Sequence, residues 1–141
     1  MSSEGSGLSA RGVQTVQSLD CATQWGNDDL EVLSTPSILG HMERLCAQVM
    51  ERFMKPGEMS VGVNVTMHHR APTPIGAQVE YHVRTDSTDR MVTFTFRVVD
   101  GHGNVVCDGE HLRAVVNKAR FHERIARSQS PASGTGPEVG A

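Results

Sequence analysis

The sequence predicts an α+β fold in which one antiparallel sheet wraps around a single long central helix. Three observations carry that expectation. A broad apolar pattern with helical spacing begins near residue 35. From residue 59 onward the apolar period drops to two and stays there through four segments. Short turns separate those segments, and short turns force antiparallel neighbours. A helix with one apolar face must bury it, and a sheet laid against it is a stable layered solution.

The elements follow in chain order. Residues 1–11 are rich in Ser and Gly and read as a flexible N-terminus; "SQSPASGTGPEVGA" (128–141) reads as a flexible tail. The folded domain is expected over 12–127. "GVQTVQSLD" (12–20) holds a short strand pattern anchored on Val13 and Val16, and "TQWGNDDLEVLST" (23–35) is irregular. Thr35 is placed to cap the long helix, with Pro36 at its first position. Ile38, Met42, Leu45, Cys46, Val49, Met50, Phe53 and Met54 form its apolar face, and "KPGE" ends it. In "MSVGVNVTMHH" strict alternation puts Met59, Val61, Val63, Val65, Met67 and His69 on one face. Gly62, Asn64, Thr66 and His68 fall on the other. "AQVEYHVRT" and "MVTFTFRVVD" alternate in the same way. "DGHGN" (100–104) is a hairpin turn, "VVCDGEHLRAVV" a further strand with Gly109 a bulge or close-approach point, and "NKARFHERIAR" a short basic closing helix.

Composition narrows the function classes. The 141 residues are 38% hydrophobic and 21% charged, with a formal net charge of -3, the profile of a globular protein with one modest core. No Lys/Arg block marks a nucleic-acid surface. No apolar stretch is long enough to span a bilayer, and the N-terminus lacks a signal-peptide pattern, so a cytoplasmic location is expected. Cys21, Cys46 and Cys107 form no CxxC pair of a zinc or redox motif.

Four positions invite chemistry. Glu43 has Leu39, Cys46 and Met50 as helical neighbours, and a carboxylate partly withdrawn from water suits a general base or nucleophile. Its plain alternative is a boundary residue paired with Arg44 or Arg113. Thr35 is a cap by default, although its hydroxyl becomes a nucleophile if a histidine removes the proton. His68 and His69 point to opposite faces and cannot share one metal, and no metal site is expected. His69, on the apolar face, can stay neutral near pH 7 and act as a base; a satisfied core histidine is its plain reading. Arg113 faces opposite to Leu112 and Ala114, toward Glu43 or a phosphate. Lys118, Arg120 and Arg124 on the closing helix are a solvated face or a phosphate contact. Thr35 and Glu43 lie about 12 Å apart along one regular helix. They cannot touch, so a third group or the substrate lies between them or a partner subunit supplies one side, which favours a dimer-interface site over a compact single-chain triad.

"STPSILGHMERLC", "VGVNVTMHHRAPTPIG" and "DGEHLRAVV" resemble segments of the fluoroacetyl-CoA thioesterase family of hot dog proteins, over roughly residues 32–125. The "TPIG" turn marks the fold; Thr35, Glu43, His69 and Arg113 at matching spacing are more specific. The resemblance implies a hot dog fold and hydrolysis of an acyl-CoA or acyl-carrier thioester. It implies a catalytic set of Thr35, Glu43 and His69. It also implies thioester-oxygen contact from the Gly62 backbone and substrate contact from Arg113. It implies a homodimer, or such dimers paired into a tetramer, with acyl-CoA at the interface and no cofactor beyond the CoA of the substrate. The family's aromatic lid before the helix is replaced: "WGNDDLEVL" puts Gly26 and Asp29 there. A general acyl-CoA thioesterase without fluoroacetyl specificity is therefore expected. A non-catalytic acyl-CoA binder and a hydroxyacyl-thioester dehydratase are the rivals.

Overall fold

The structure, a computed structural model, describes residues 8–129. Five strands and two helices follow in the order β1 (Ser9–Thr15), α1 (Thr35–Glu51), β2 (Glu58–His69), β3 (Gln78–Arg84), β4 (Met91–Asp100), β5 (Val105–Asn117) and α2 (Lys118–Ser128). All strand pairs are antiparallel, in the sheet order β1-β3-β4-β5-β2. The expected α+β architecture is present. Ile38, Met42, Cys46, Val49 and Met50 of α1 are buried, and they meet the inward row of Val79, Tyr81 and Val83 on β3 and Val92, Phe94, Phe96 and Val98 on β4. Burial alternates strictly along β3 and β4, as a half-covered sheet requires. Among the described residues no helix is long and apolar enough to cross a membrane.

Four details depart from the sequence expectation. First, β1 starts at Ser9, so residues 9–11 belong to the sheet rather than to a flexible terminus. Their polar composition is tolerated because Ser9, Ala10 and Arg11 pair with Arg84, Val83 and His82 through the backbone. At the other end α2 runs to Ser128, the first residue assigned to the tail; residues 1–7 and 130–141 lie outside the described part. Second, β2 and β3 are not neighbours despite their short connection. The chain crosses over, and β2 pairs with β5 at the sheet edge.

Third, β2 is not one regular strand. Its register on β5 shifts between Gly62 and Asn64, which leaves Val63 as an extra residue, 52% exposed. A bulge of this kind reverses which residues face inward on either side of it. Before it, Ser60 and Gly62 point toward α1, opposite Val115 and Arg113; after it, Val65, Met67 and His69 do, opposite His111, Gly109 and Cys107. Gly62 therefore shares a face with His69, and Val61 and Val63 do not.

Fourth, the cap of α1 is Ser34, not Thr35. Ser34 is extended and its hydroxyl accepts from the Ser37 N–H at 3.2 Å, so Thr35 is the first residue of the helix and Pro36 the second. Both hydroxyl residues suit a cap. Ser34 takes the role because its own N–H is already fixed on the Asp20 carbonyl at 2.8 Å.

The connection over 70–77 clasps several elements together. Leu33 N–H donates to the Thr73 carbonyl at 2.8 Å, Gly76 N–H to Val16 at 2.8 Å, Ile75 N–H to Glu31 at 3.2 Å, and Arg70 N–H to Val106 at 2.7 Å. It thereby joins the end of β1, the entry to α1 and the start of β5.

Gly109 is a close-approach point. A methyl group there would run into the Thr66 carbonyl and the Met67 Cα, which are backbone atoms and cannot swing aside. Gly109→Ala is expected to pry β2 from β5 and cost about 2 kcal/mol or more. A urea midpoint unchanged from wild type would rule out this packing.

Candidate active site

Two polar clusters sit on the inner face of the sheet, one at each end of the first half of α1. The first joins Thr35 to His69. With Ser34 as the cap, the Thr35 hydroxyl is free to bond elsewhere, and its Oγ1 lies 2.8 Å from His69 Nδ1. His69 sits at the exposed end of β2. Groups packed on one side of its ring still remove enough water to hold its pKa below the ordinary value, against a smaller opposing pull from the Ala71 backbone. The lowered pKa favours the neutral ring, and in the tautomer with its proton on Nε2 the Nδ1 lone pair accepts from the Thr35 hydroxyl, the arrangement of a base on a hydroxyl.

The first turn of α1 is braced from below. The Tyr81 hydroxyl donates to Gln14 Oε1, and Gln14 Nε2 donates to Ser37 Oγ at 3.0 Å. The same turn is a poorer anion site than its sequence suggests. Pro36 has no N–H, and those of Ser37 and Ile38 are taken by the Ser34 side chain and carbonyl. The Thr35 N–H is left as the donor without a partner among the described residues.

A cleft of about 390 Å³ opens against this pair. Thr35 and His69 form its polar corner, and Trp25, Leu30, Val32 and Pro36 supply apolar wall. Trp25 and Leu30 are unusually exposed for such residues, 61% and 48%. Trp25 is held there by a short 3-10 turn that closes on Gly26, whose φ of +101° only glycine adopts without strain.

The second cluster gathers around Glu43, two turns further along α1. Its Oε2 lies 3.5 Å from Arg113 Nη1 and 3.5 Å from His111 Nε2. Arg113 is buried and tied down: Nε donates to Ser60 Oγ at 3.0 Å and Nη2 to the Ser60 carbonyl at 3.1 Å. Gly62 lies over Glu43, where any Cβ would collide with Oε2. The Glu43 side chain remains 40% exposed, so within one chain it is reachable from outside. Arg113 thus pairs with Glu43.

The structure brings Thr35 to His69, and Glu43 to Gly62 and Arg113, but it does not join the two groups within one chain. His111 escaped the sequence reading. Its signal was its parity: Cys107, Gly109, His111 and Arg113 share the inward face of β5. His68 faces the other way, 4.0 Å from Asp108. The three cysteines are buried and unpaired, and burial pushes the Cys46 thiol up to about 12 and that of Cys107 to about 11, far from a reactive thiolate. Lys118, Arg120 and Arg124 lie on the exposed helix α2.

Burial lowers the pKa of three imidazoles, His41, His69 and His111. The unfolded chain takes protons on these groups near pH 6.5, and the folded chain takes them only at lower pH. Stability on their account is complete above pH 6.5 and falls as pH drops below it. The thermal midpoint is expected to be lower at pH 5 than at pH 7.5; an equal or higher midpoint at pH 5 would contradict it.

Known proteins share this fold. Residues 16–119 match the family described as fluoroacetyl-CoA-specific thioesterase. The fluoroacetyl-CoA thioesterase of Streptantibioticus cattleyicolor is 31% identical over 103 residues, spanning 72% of this chain and 73% of that protein. Among solved structures, a hot-dog-like protein from Thermanaerovibrio acidaminovorans superposes with a TM-score of 0.80 at 27% identity, over 86% of this chain and 90% of that one. A fluoroacetyl-CoA thioesterase, FlK, does so with 0.76 at 25% identity, over 87% and 95%. Fold, matched residues and relatives agree: the chain has the hot dog fold and belongs to the fluoroacetyl-CoA-specific thioesterase family.

Proposed function

We propose that the chain's thioesterase chemistry acts on an acyl-CoA, or an acyl-carrier thioester, with a small apolar acyl group, and without selectivity for the fluoroacetyl group. The observation that carries this reading is the 2.8 Å contact of Thr35 Oγ1 with a neutral His69 at the corner of an apolar cleft. His69 takes the proton as Thr35 Oγ1 attacks the acyl carbon. The carbon–sulfur bond breaks and the thiolate leaves with that proton. Water then cleaves the acyl-threonine ester to the free acid, activated by Glu43 as general base. The Gly62 backbone serves as a donor to the thioester oxygen, with Arg113 holding Glu43 beside it. Trp25 and Leu30 supply apolar surface where the family's lid residues are replaced by Gly26 and an exposed Asp29.

The active unit in this reading is a homodimer. The 12-residue strand β2 forms one edge of the sheet, and Glu43 stays accessible beside it. An antiparallel β2 pair across a two-fold axis brings the Thr35–His69 corner of one protomer toward Glu43 of its partner. Three free cysteines fit a reducing compartment, the cytoplasm. Mass measurement in solution separates dimer from tetramer.

Thiol release over acetyl-, fluoroacetyl-, short-chain, aromatic and long-chain acyl-CoAs tests the reading. Turnover is expected to favour short apolar acyl groups over aromatic and long-chain ones, with fluoroacetyl- and acetyl-CoA within about tenfold of each other. Binding without thiol release from any ester would replace the enzyme with a CoA-ester binding protein. Water loss from a hydroxyacyl thioester would replace it with a dehydratase.

A further inference from the structure

His111 is fully buried, and every polar atom around its ring is accounted for. Nδ1 lies 2.9 Å from the Asn64 carbonyl. A carbonyl oxygen only accepts, so Nδ1 carries the proton. Nε2 lies 3.1 Å from Arg113 Nη1, which only donates, so Nε2 offers its lone pair. The ring is thus one neutral tautomer with both nitrogens committed. The charged groups facing it are Glu43 from α1 and Arg113 from its own strand, and β2 contributes the Asn64 carbonyl; the Cys46 thiol and Ser60 lie against Arg113 and Glu43 rather than against the ring. Burial first, and then the charge of Arg113, resist a second proton.

This changes the meaning of the 3.5 Å between His111 Nε2 and Glu43 Oε2. No proton lies between them. They are two acceptors facing one donor, Nη1 of Arg113, which hydrogen-bonds His111 at 3.1 Å and meets Glu43 as an ion pair at 3.5 Å. The other guanidinium nitrogens are spent on Ser60. We propose that His111 is a positioning residue: it draws off one Nη1 hydrogen of Arg113, so that Glu43 receives a single guanidinium contact and keeps its second oxygen free to act on water. Its hold on the Asn64 carbonyl also clasps the β2 bulge just past Val63, which keeps Gly62 turned toward Glu43. The inference rests on Glu43 being the base.

Three measurements on the purified, full-length enzyme test it. Nitrogen-15 spectra of the imidazoles are expected to show His111 as the Nδ1–H tautomer at pH 7, and still mainly neutral at pH 6.5, where a free imidazole is half protonated. An Nε2–H tautomer or an imidazolium there overturns the proposal, whatever the enzyme does to a substrate. His111→Leu removes the acceptor and leaves both Nη1 hydrogens of Arg113 to Glu43. With acetyl-CoA, or the best ester found, kcat is expected to fall about 10- to 100-fold and KM to fall with it, so that kcat/KM changes less than threefold, and the acid limb of kcat to move to lower pH. His111→Gln can donate to Asn64 and accept from Arg113, and is expected to restore the wild-type limb and most of kcat. If His111→Leu does not fold, the glutamine variant and the spectra decide. A folded glutamine variant with kcat down 100-fold, or a leucine variant with a lower melting temperature and unchanged kcat and pH profile, overturns the role. Glu43→Gln at full activity would instead overturn the reading on which it rests.

Discussion

His69→Ala is expected to lower kcat by about 10²- to 10⁴-fold, the range for losing a positioned general base. The ring does two things that no neighbour repeats. It lies 2.8 Å from the Thr35 hydroxyl, in place to take its proton, and packing against its ring lowers its pKa and favours the neutral form. Thr35→Ala should fall as far, since it removes the oxygen that receives the acyl group. Thr35→Ser should keep most activity, because a hydroxyl remains one bond from the same Cα. Neither Thr35 variant should unfold the helix, because Ser34 makes the cap bond. The pH profile carries a sign as well: kcat/KM should rise through a limb below pH 6.5 and be flat from there to neutral pH. Steady-state thiol release with the best ester provides the check. His69→Ala at more than a tenth of the wild-type rate would remove His69 from the chemistry.

Mixing two dead enzymes should produce a live one. Thr35→Ala and Glu43→Gln homodimers are each expected to be nearly inactive. If every site draws Thr35 and His69 from one protomer and Glu43 from the other, a heterodimer of the two variants has one doubly damaged site and one intact site. Unfolding and refolding an equimolar mixture makes half the dimers mixed, so about a quarter of wild-type activity should appear. The argument is the spacing on α1: eight residues of helix separate the two groups by about 12 Å, and each has a complete set of partners within its own chain. Activity no higher than the sum of the two parents would place the whole site within a single protomer.

The helix, the strands and most of the core are legible because burial imposes a period, and Ile38 to Met50 and Val92 to Val98 keep it without interruption. The meeting of Arg113 with Glu43 is legible as an option for the same reason: parity places Arg113 inward. The bulge is not. "VGVNV" is a flawless alternation on paper, and the register slip at Val63 arises only from pairing with β5, a strand more than forty residues away. The choice of Ser34 over Thr35 as the cap is equally non-local, since Asp20 decides it. His111 was hidden because a histidine in mid-strand has no local mark; only its position two residues before Arg113, on the same face, carries the information.

The clasp at 70–77 also says when the enzyme should fail. Thr35 and His69 are 34 residues apart and meet through a loop whose ties are backbone bonds to three separate elements, whereas β4 and β5 are zipped by a tight hairpin. Segments of that kind open before the sheet does. Catalysis should therefore be lost at lower denaturant than the circular dichroism of the sheet, with the molecule switched off while still folded, and regained on dilution without passing through the unfolded state.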